Sequence, residues 1–314
     1  MNINLNNFRV IFAGTPEFSV PSLIALLDMG IIPKAIITQP DRRAGRGKKL
    51  TKSPVKIFAE GHQIPVWQPS SLSNAQFIQD LKSTKPDVII VAAYGMLFSK
   101  EILNIPKMGC LNVHASLLPR WRGASPIQAS ILYGDKVTGV SLMKMEIGLD
   151  TGPIYAQHKI DIGESEIADN LNIRLGELGG MALRADLQSI LNGVIQSNDQ
   201  NQDGITLTKK IKKSDARIDW NKSADSLSRH VRAYNSSPGA YFKLDDEMIK
   251  CFFAEYTNKN NAISGRVIDA GESGIKVSCG QGTLIMKILQ RPGRNKVTAA
   301  EFCSQIDLND LQLT

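Results

Sequence analysis

No stretch of this sequence is long and apolar enough to lie across a membrane. Its longest apolar run, VIIVAAYGMLF at residues 88–98, falls well short of the roughly 20 residues that a bilayer demands. The first residues, MNINLNNFRVIFAGTP, hold one cation but neither a separate apolar segment nor a small-residue cleavage site, so no secretory signal is expected. A soluble, cytoplasmic chain follows as the expectation. Cysteine is scarce too. Cys110, Cys251, Cys279 and Cys303 form no C-x-x-C pair, and the four histidines never fall at metal-ligand spacing from them, so reduced, buried thiols are expected and no metal site. No internal repeat, helix-turn-helix pattern or zinc-finger spacing appears. After the first strand-like run, Ala13-Gly14-Thr15-Pro16 carries one glycine where a dinucleotide fingerprint needs three.

What is present is ordinary globular material: 314 residues, 42% hydrophobic and 21% charged, enough for about two domains at roughly 100–200 residues each. From residue 8 onward, short β-branched runs (FRVIFAG, KAIITQP, DVIIVAAYG, GCLNVHAS, TGVSLMKME) alternate with helical patterns. That order predicts a mostly parallel sheet covered on both faces, with its crevice at the carboxyl ends of the strands. A long helical segment is expected over about 165–192. Beyond it the texture becomes polar and turn-rich, and short strand-like runs (MIKCFFAEYT, ISGRVIDA, GIKVSCG, GTLIMKILQ) predict a small antiparallel β domain, a five-stranded barrel. The expected organisation is an α/β domain at 1–191, a linker at 192–207 and a second domain at 208–314.

Within GCLNVHASLLPRWRGASP, residues 109–126, Leu111, Val113 and Ala115 alternate with Asn112, His114 and Ser116. In a strand of period two the polar three share one face. A central parallel strand is dry on both sides, so Asn112 and His114 need either hydrogen-bond partners or a ligand. A second candidate is the lone carboxylate of Gly148-Leu149-Asp150-Thr151-Gly152, which could equally cap a turn. A single D-T-G triplet cannot make an aspartic protease, which requires two carboxylates. His62, His158 and His230 read as surface or capping residues, and Trp121 either packs at a loop base or stacks on a ligand.

Taken in order, these stretches resemble the formyltransferases that use 10-formyltetrahydrofolate: Asn112-x-His114, Ser116-Leu117-Leu118-Pro119, Arg120-Trp121-Arg122-Gly123 and Gly148 to Gly152. AGTPEFSVPSL, QPDRRAGRGKKL, AYGMLF and ARIDW extend the likeness over nearly the whole chain, most strongly toward the branch whose acceptor is initiator methionyl-tRNA. The resemblance implies a Rossmann-like formyltransferase domain followed by a small OB-like β-barrel. It implies transfer of a formyl group from 10-formyltetrahydrofolate, a co-substrate, to methionyl-tRNA for translation initiation, with no metal and no obligate protein partner. Asn112, His114 and Asp150 are then the catalytic residues, and the backbone of Ser116, Leu117, Leu118 and Pro119 the folate loop. One departure stands at Ser237, where the family commonly has an aromatic residue before the proline.

Charge is unevenly spread. DRRAGRGKKLTK (41–52) and KKIKK (209–213) together carry more positive charge than the chain's net +7. Basic side chains among glycines suit a loop that orders on a phosphate backbone. The resemblance makes Arg42, Arg46, Lys48 and Lys49 the primary tRNA contacts, with Lys209, Lys210, Lys212 and Lys213 secondary. Two other readings compete: a formyltransferase acting on a small amine such as an amino sugar or ribonucleotide, and a non-catalytic RNA-binding protein. Glu17 in the first turn disfavours a phosphorylated ribonucleotide, and a binding module has no use for an Asn-His-Asp set.

Overall fold

In the computed structural model, which describes residues 5, 8–44, 49–259, 263–308 and 310–314, the chain forms two compact units. The first comprises 1–126, 137–161 and 172–209, and the second 127–136, 162–171 and 210–314. In the first unit the apolar runs become β1 (Val10–Gly14), β2 (Ala35–Ile37), β5 (Val66–Trp67), β6 (Val88–Ala92) and β7 (Cys110–His114). The basic segment 42–51 contributes a two-stranded antiparallel hairpin, β3 (Arg42–Ala44) and β4 (Lys49–Thr51). Two-residue strands β8 (Arg122–Gly123) and β11 (Leu207–Thr208) pair in parallel.

The main sheet runs β10-β9-β7-β6-β1-β2-β5, with β9 at Val137–Lys144 and β10 at Ile154–Asp161. Its β7, β6, β1, β2 and β5 are parallel neighbours, as expected. The last two strands are antiparallel, β9 to β7 and β10 to β9. The connection 145–153 explains the second reversal, because it is too short for the crossover that a parallel pair needs. Helices α1 (Val20–Asp28), α2 (Pro54–Gly61), α3 (Ala75–Ser83) and α4 (Lys100–Leu103) link the parallel strands. Two start on side-chain caps: Ser53 Oγ accepts from Lys56 N before Pro54, and Asn74 Oδ1 accepts from Phe77 N.

Helix α5 (Pro126–Leu132) follows β8, and α6 (Ala168–Leu191) fills most of the predicted long helix. Two glycines let α6 lie directly on β1–α1 and β7. A Cβ at Gly180 would stand 2.7 Å from Pro21 O, and one at Gly179 would stand 2.8 Å from Val113 Cγ1. This holds α6 against the strand that carries Asn112 and His114. Residues 192–207, expected as a linker, are tied into the first unit, where Asn198 bridges Ile154 and Gln200 is buried. Among the described residues no helix is long and apolar enough to cross a membrane.

The second unit builds an antiparallel sheet in the order β12-β13-β16-β15-β14, with β17 added to β16. These strands are β12 (Ala240–Leu244), β13 (Glu247–Thr257), β14 (Val267–Gly271), β15 (Gly274–Ser278), β16 (Thr283–Gln290) and β17 (Lys296–Thr298). Six strands thus replace the five expected: β12 hides behind Ser-Ser-Pro-Gly, and β17 is too short to show alternation. Helices α7 (Ala224–Ala233) and α8 (Ala299–Cys303) cover a core that includes Trp220, Leu227, Phe242, Leu289 and Phe302. Cys110, Cys251 and Cys279 are buried free thiols and Cys303 is partly exposed. Burial pushes Cys110 and Cys251 up to about 12, so both stay protonated.

His62 is exposed at the end of α2 and His158 pairs with Asp186 at 2.6 Å, but His230 is a core residue of α7 and not a surface one. Burial holds its imidazole below the usual range, against the opposing pull of a hydrogen bond with Ala216 and of Asp219, while Lys222 adds to the lowering. The unfolded chain takes up a proton near pH 6.5 and the folded unit does not. Stability is therefore full above that pH and declines as pH falls below it, no more steeply than about 1.4 kcal/mol per pH unit. Denaturant melts between pH 7.5 and 5 should show this decline, and His230→Gln should flatten it; an unchanged slope in the variant would place the titration elsewhere.

Candidate active site

β7 lies between β6 and β9, and all five of its residues are buried. Asn112 stands opposite Val91 on one side and Met143 on the other. Its side chain is only 9% exposed, and its amide takes no hydrogen bond from the described residues. A buried amide in that state is primed for a ligand. His114, 6% exposed, is held by Nε2 donating to Trp121 O at 3.1 Å, while Nδ1 faces Asp150 Oδ2 at 3.6 Å. Both ring nitrogens face oxygen acceptors, so a neutral ring can satisfy only one of them by donation.

Two tight turns create this geometry. Trp121 adopts φ 63°, and Asp150 adopts φ 54° after Gly148 at φ 138°. Gly123 N donates to Asp150 Oδ2 at 2.8 Å. Gly123 itself has φ 114°, and a Cβ there would stand 2.3 Å from Thr208 O, so no other residue fits. Asp150, about 36 residues beyond His114 in the chain, is thus brought to the carboxyl end of the strand that carries Asn112 and His114. Trp121 is a packed residue, 4% exposed, with the Arg120 guanidinium 4.2 Å above its ring.

Ser116 to Pro119 lead directly from β7, and their carbonyls are used within the unit. Ser116 O accepts from Ser141 Oγ at 2.7 Å, Leu117 O from Arg120 N at 3.1 Å and Leu118 O from Gln157 Nε2 at 2.9 Å. Leu118 N donates to Ser141 Oγ at 3.1 Å. The loop is rigid, and much of the backbone expected to meet folate is already bonded. Apolar surface lies instead on the neighbouring loops: Leu97 after β6, and Ile147 and Leu149 after β9, are all exposed. The first of these loops is fixed by Tyr94 O, which accepts from Thr15 Oγ1 at 3.1 Å and Gln39 Nε2 at 2.8 Å. Periodicity does not single out these residues, because each works through its backbone or its exposure.

The basic side chains fall in three places. Arg42 and Lys49 are exposed on the β3–β4 hairpin, whose base is anchored by Asp41 pairing with Lys56 at 2.8 Å and accepting from Gln68 at 2.7 Å. Those two partners hold the Asp41 carboxyl below its usual range. Arg46 and Lys48 lie outside the described residues. Lys209 is exposed at the end of the first unit, and Lys210, Lys212 and Lys213 are exposed at the start of the last stretch of the second. Ser237 is exposed in the turn before β12.

Residues 7–187 match the formyl transferase family and residues 210–306 its C-terminal domain, and the chain belongs to that family. Among its relatives, the methionyl-tRNA formyltransferase of Stenotrophomonas maltophilia is 44% identical over 296 residues, covering 94% of this chain and 96% of the relative. That of Legionella pneumophila strain Paris is 41% identical over 299 residues, covering 95% of each. In fold, the chain is similar to an N-formyltransferase from Helicobacter canadensis solved with folinic acid and dTDP-3-aminofucose (TM-score 0.67, 19% identity, 90% of this chain and 99% of that one). It is also similar to a methionyl-tRNA formyltransferase from Clostridium thermocellum (TM-score 0.54, 18% identity, 82% and 100% covered).

Proposed function

We propose that this chain transfers the formyl group of 10-formyltetrahydrofolate to the free amino group of methionyl-tRNA, giving N-formylmethionyl initiator tRNA in the cytoplasm. The observation that carries the reading is the buried Asn112 amide, without a hydrogen-bond partner among the described residues, on the same strand as the His114 that faces Asp150. The methionyl nitrogen attacks the formyl carbon, and the formyl oxygen becomes an oxyanion. Asn112 donates its amide N–H to that oxygen. The attacking nitrogen loses one proton, the bond from carbon to folate N10 breaks, and N10 leaves as an amine that gains a proton. His114 handles these protons and Asp150 supports the charge on the ring.

For folate we propose a lodging between the apolar side chains of Leu97, Ile147 and Leu149, with Ser116 to Pro119 as a stiff wall. The domain reading remains catalysis within 1–191, a connection at 192–207 and RNA contact within 208–314. Incubation of the protein with 10-formyltetrahydrofolate and a mixture of charged tRNAs tests the function. Formyl ester should form on methionyl initiator tRNA, and formylation of none of the charged tRNAs would refute the reading.

The hairpin supplies a separate test. Arg42→Ala and Lys49→Ala each remove a phosphate contact, so each should flatten the slope of log affinity for tRNA against log salt by about 0.7–0.9. Folate affinity should stay at the parent value. With a methionyl ester lacking the tRNA body, parent and variants should react equally slowly. A variant impaired on that ester yet normal in salt dependence would remove the hairpin from the RNA interface.

A further inference from the structure

We infer that Gln200 is the positioning residue for Asp150 in the transfer reaction, a role that rests on the function proposed above. Gln200 is 5% exposed and comes from the stretch that the sequence presents as a linker. Its Nε2 donates to Asp150 O at 2.7 Å and to Gly152 O at 2.8 Å, and its Oε1 accepts from Arg122 Nε at 2.9 Å. All three capacities of one amide that face the site are used. Two carbonyls flanking Thr151 are drawn to a single nitrogen, which closes the loop around Asp150.

The need for such a clamp lies in the backbone. Asp150 sits at φ 54°, the left-handed region that few non-glycine residues adopt, though Asp and Asn do so more readily than most. Gly123 N grips the carboxylate at Oδ2, and Gln200 grips the main chain of the same residue. Arg122, the neighbour of Gly123 in β8, is bound to the other end of the same Gln200 amide. One side chain therefore spans the two elements, β8 and the 148–152 loop, that together aim Asp150 at His114. A misplacement of about 1 Å in a catalytic group can cost 10²-fold in rate.

The isosteric variant Gln200→Glu separates positioning from packing. It keeps an oxygen for Arg122 and adds charge to that contact, but it turns an acceptor toward two carbonyl oxygens. Gln200→Glu should therefore stay folded with a modest loss of stability from the two lost donations, keep KM for 10-formyltetrahydrofolate within about twofold, and lose at least about tenfold in kcat. Hydrogen exchange at the Gly123 amide should speed up at least about tenfold, because the carboxylate that protects it loses its place. Parental kcat with parental Gly123 protection would overturn the inference, as would a loss of rate matched by an equal loss of stability in both Gln200→Glu and Gln200→Ala. The parent's own transfer to methionyl-tRNA, run beside these, reads the proposed function independently, and Gly123 exchange reads the positioning role whatever amine the parent accepts.

Discussion

Asn112→Ala and His114→Ala each lower kcat for formyl transfer by at least about 100-fold and leave folate binding close to that of the parent. Both side chains stand on a five-residue strand buried throughout, so neither truncation should move the backbone. Asn112 has no partner among the described residues to lose, and its amide acts when the formyl oxygen becomes charged. One oxyanion donor is worth about 10²–10³ in rate. That worth appears in kcat, because the interaction strengthens only as the transition state forms. His114 differs in that its truncation also frees Trp121 O, so a modest loss of stability accompanies the loss of rate. Turnover under saturating folate and tRNA, with folate affinity measured by direct titration, checks both. Near-parental turnover in either variant would take that residue out of the reaction.

Asp150→Asn keeps the fold and costs about 100-fold or more in kcat. Asparagine tolerates the positive φ of this position, and its side-chain oxygen can still accept from Gly123 N. What disappears is the negative charge 3.6 Å from His114 Nδ1. A neutral amide cannot support an imidazolium, and proton handling by a positioned side chain contributes typically 10²–10⁴. The variant's kcat, measured across the pH range, should stay below the parent's throughout. A variant that matches the parent in both rate and profile would leave Asp150 as a turn residue alone.

The sequence made part of this site readable and hid the rest for physical reasons. Alternation of Leu111, Val113 and Ala115 with Asn112, His114 and Ser116 exposes the polar face of β7, because a side-chain period of two is a local property. The parallel strands are likewise visible as unbroken apolar runs. Strand β10 shows no unbroken apolar run: IYAQHKID is an edge strand whose residues are all partly or fully exposed. The β3–β4 hairpin reads as a loop in the sequence since its strands carry the exposed basic residues Arg42, Arg43 and Lys49. Gln200 could not be found locally at all. It sits in a polar, turn-rich stretch, and its burial comes from contacts with Asp150 and Gly152, roughly 50 residues away. His230 reads as a surface residue for a related reason, since the α7 helix that carries it is short and largely polar in sequence.

The most direct measurement compares acceptors. With 10-formyltetrahydrofolate saturating, kcat/KM is determined for methionyl initiator tRNA, for methionyl elongator tRNA and for dTDP-3-aminofucose, a molecule found in complex with one protein of similar fold. Fast formylation of the methionyl ester on initiator tRNA, no transfer to the sugar, and loss of that activity in Asn112→Ala are predicted. Transfer to the amino sugar in preference to methionyl-tRNA would contradict the proposed function, even with the same three residues at work.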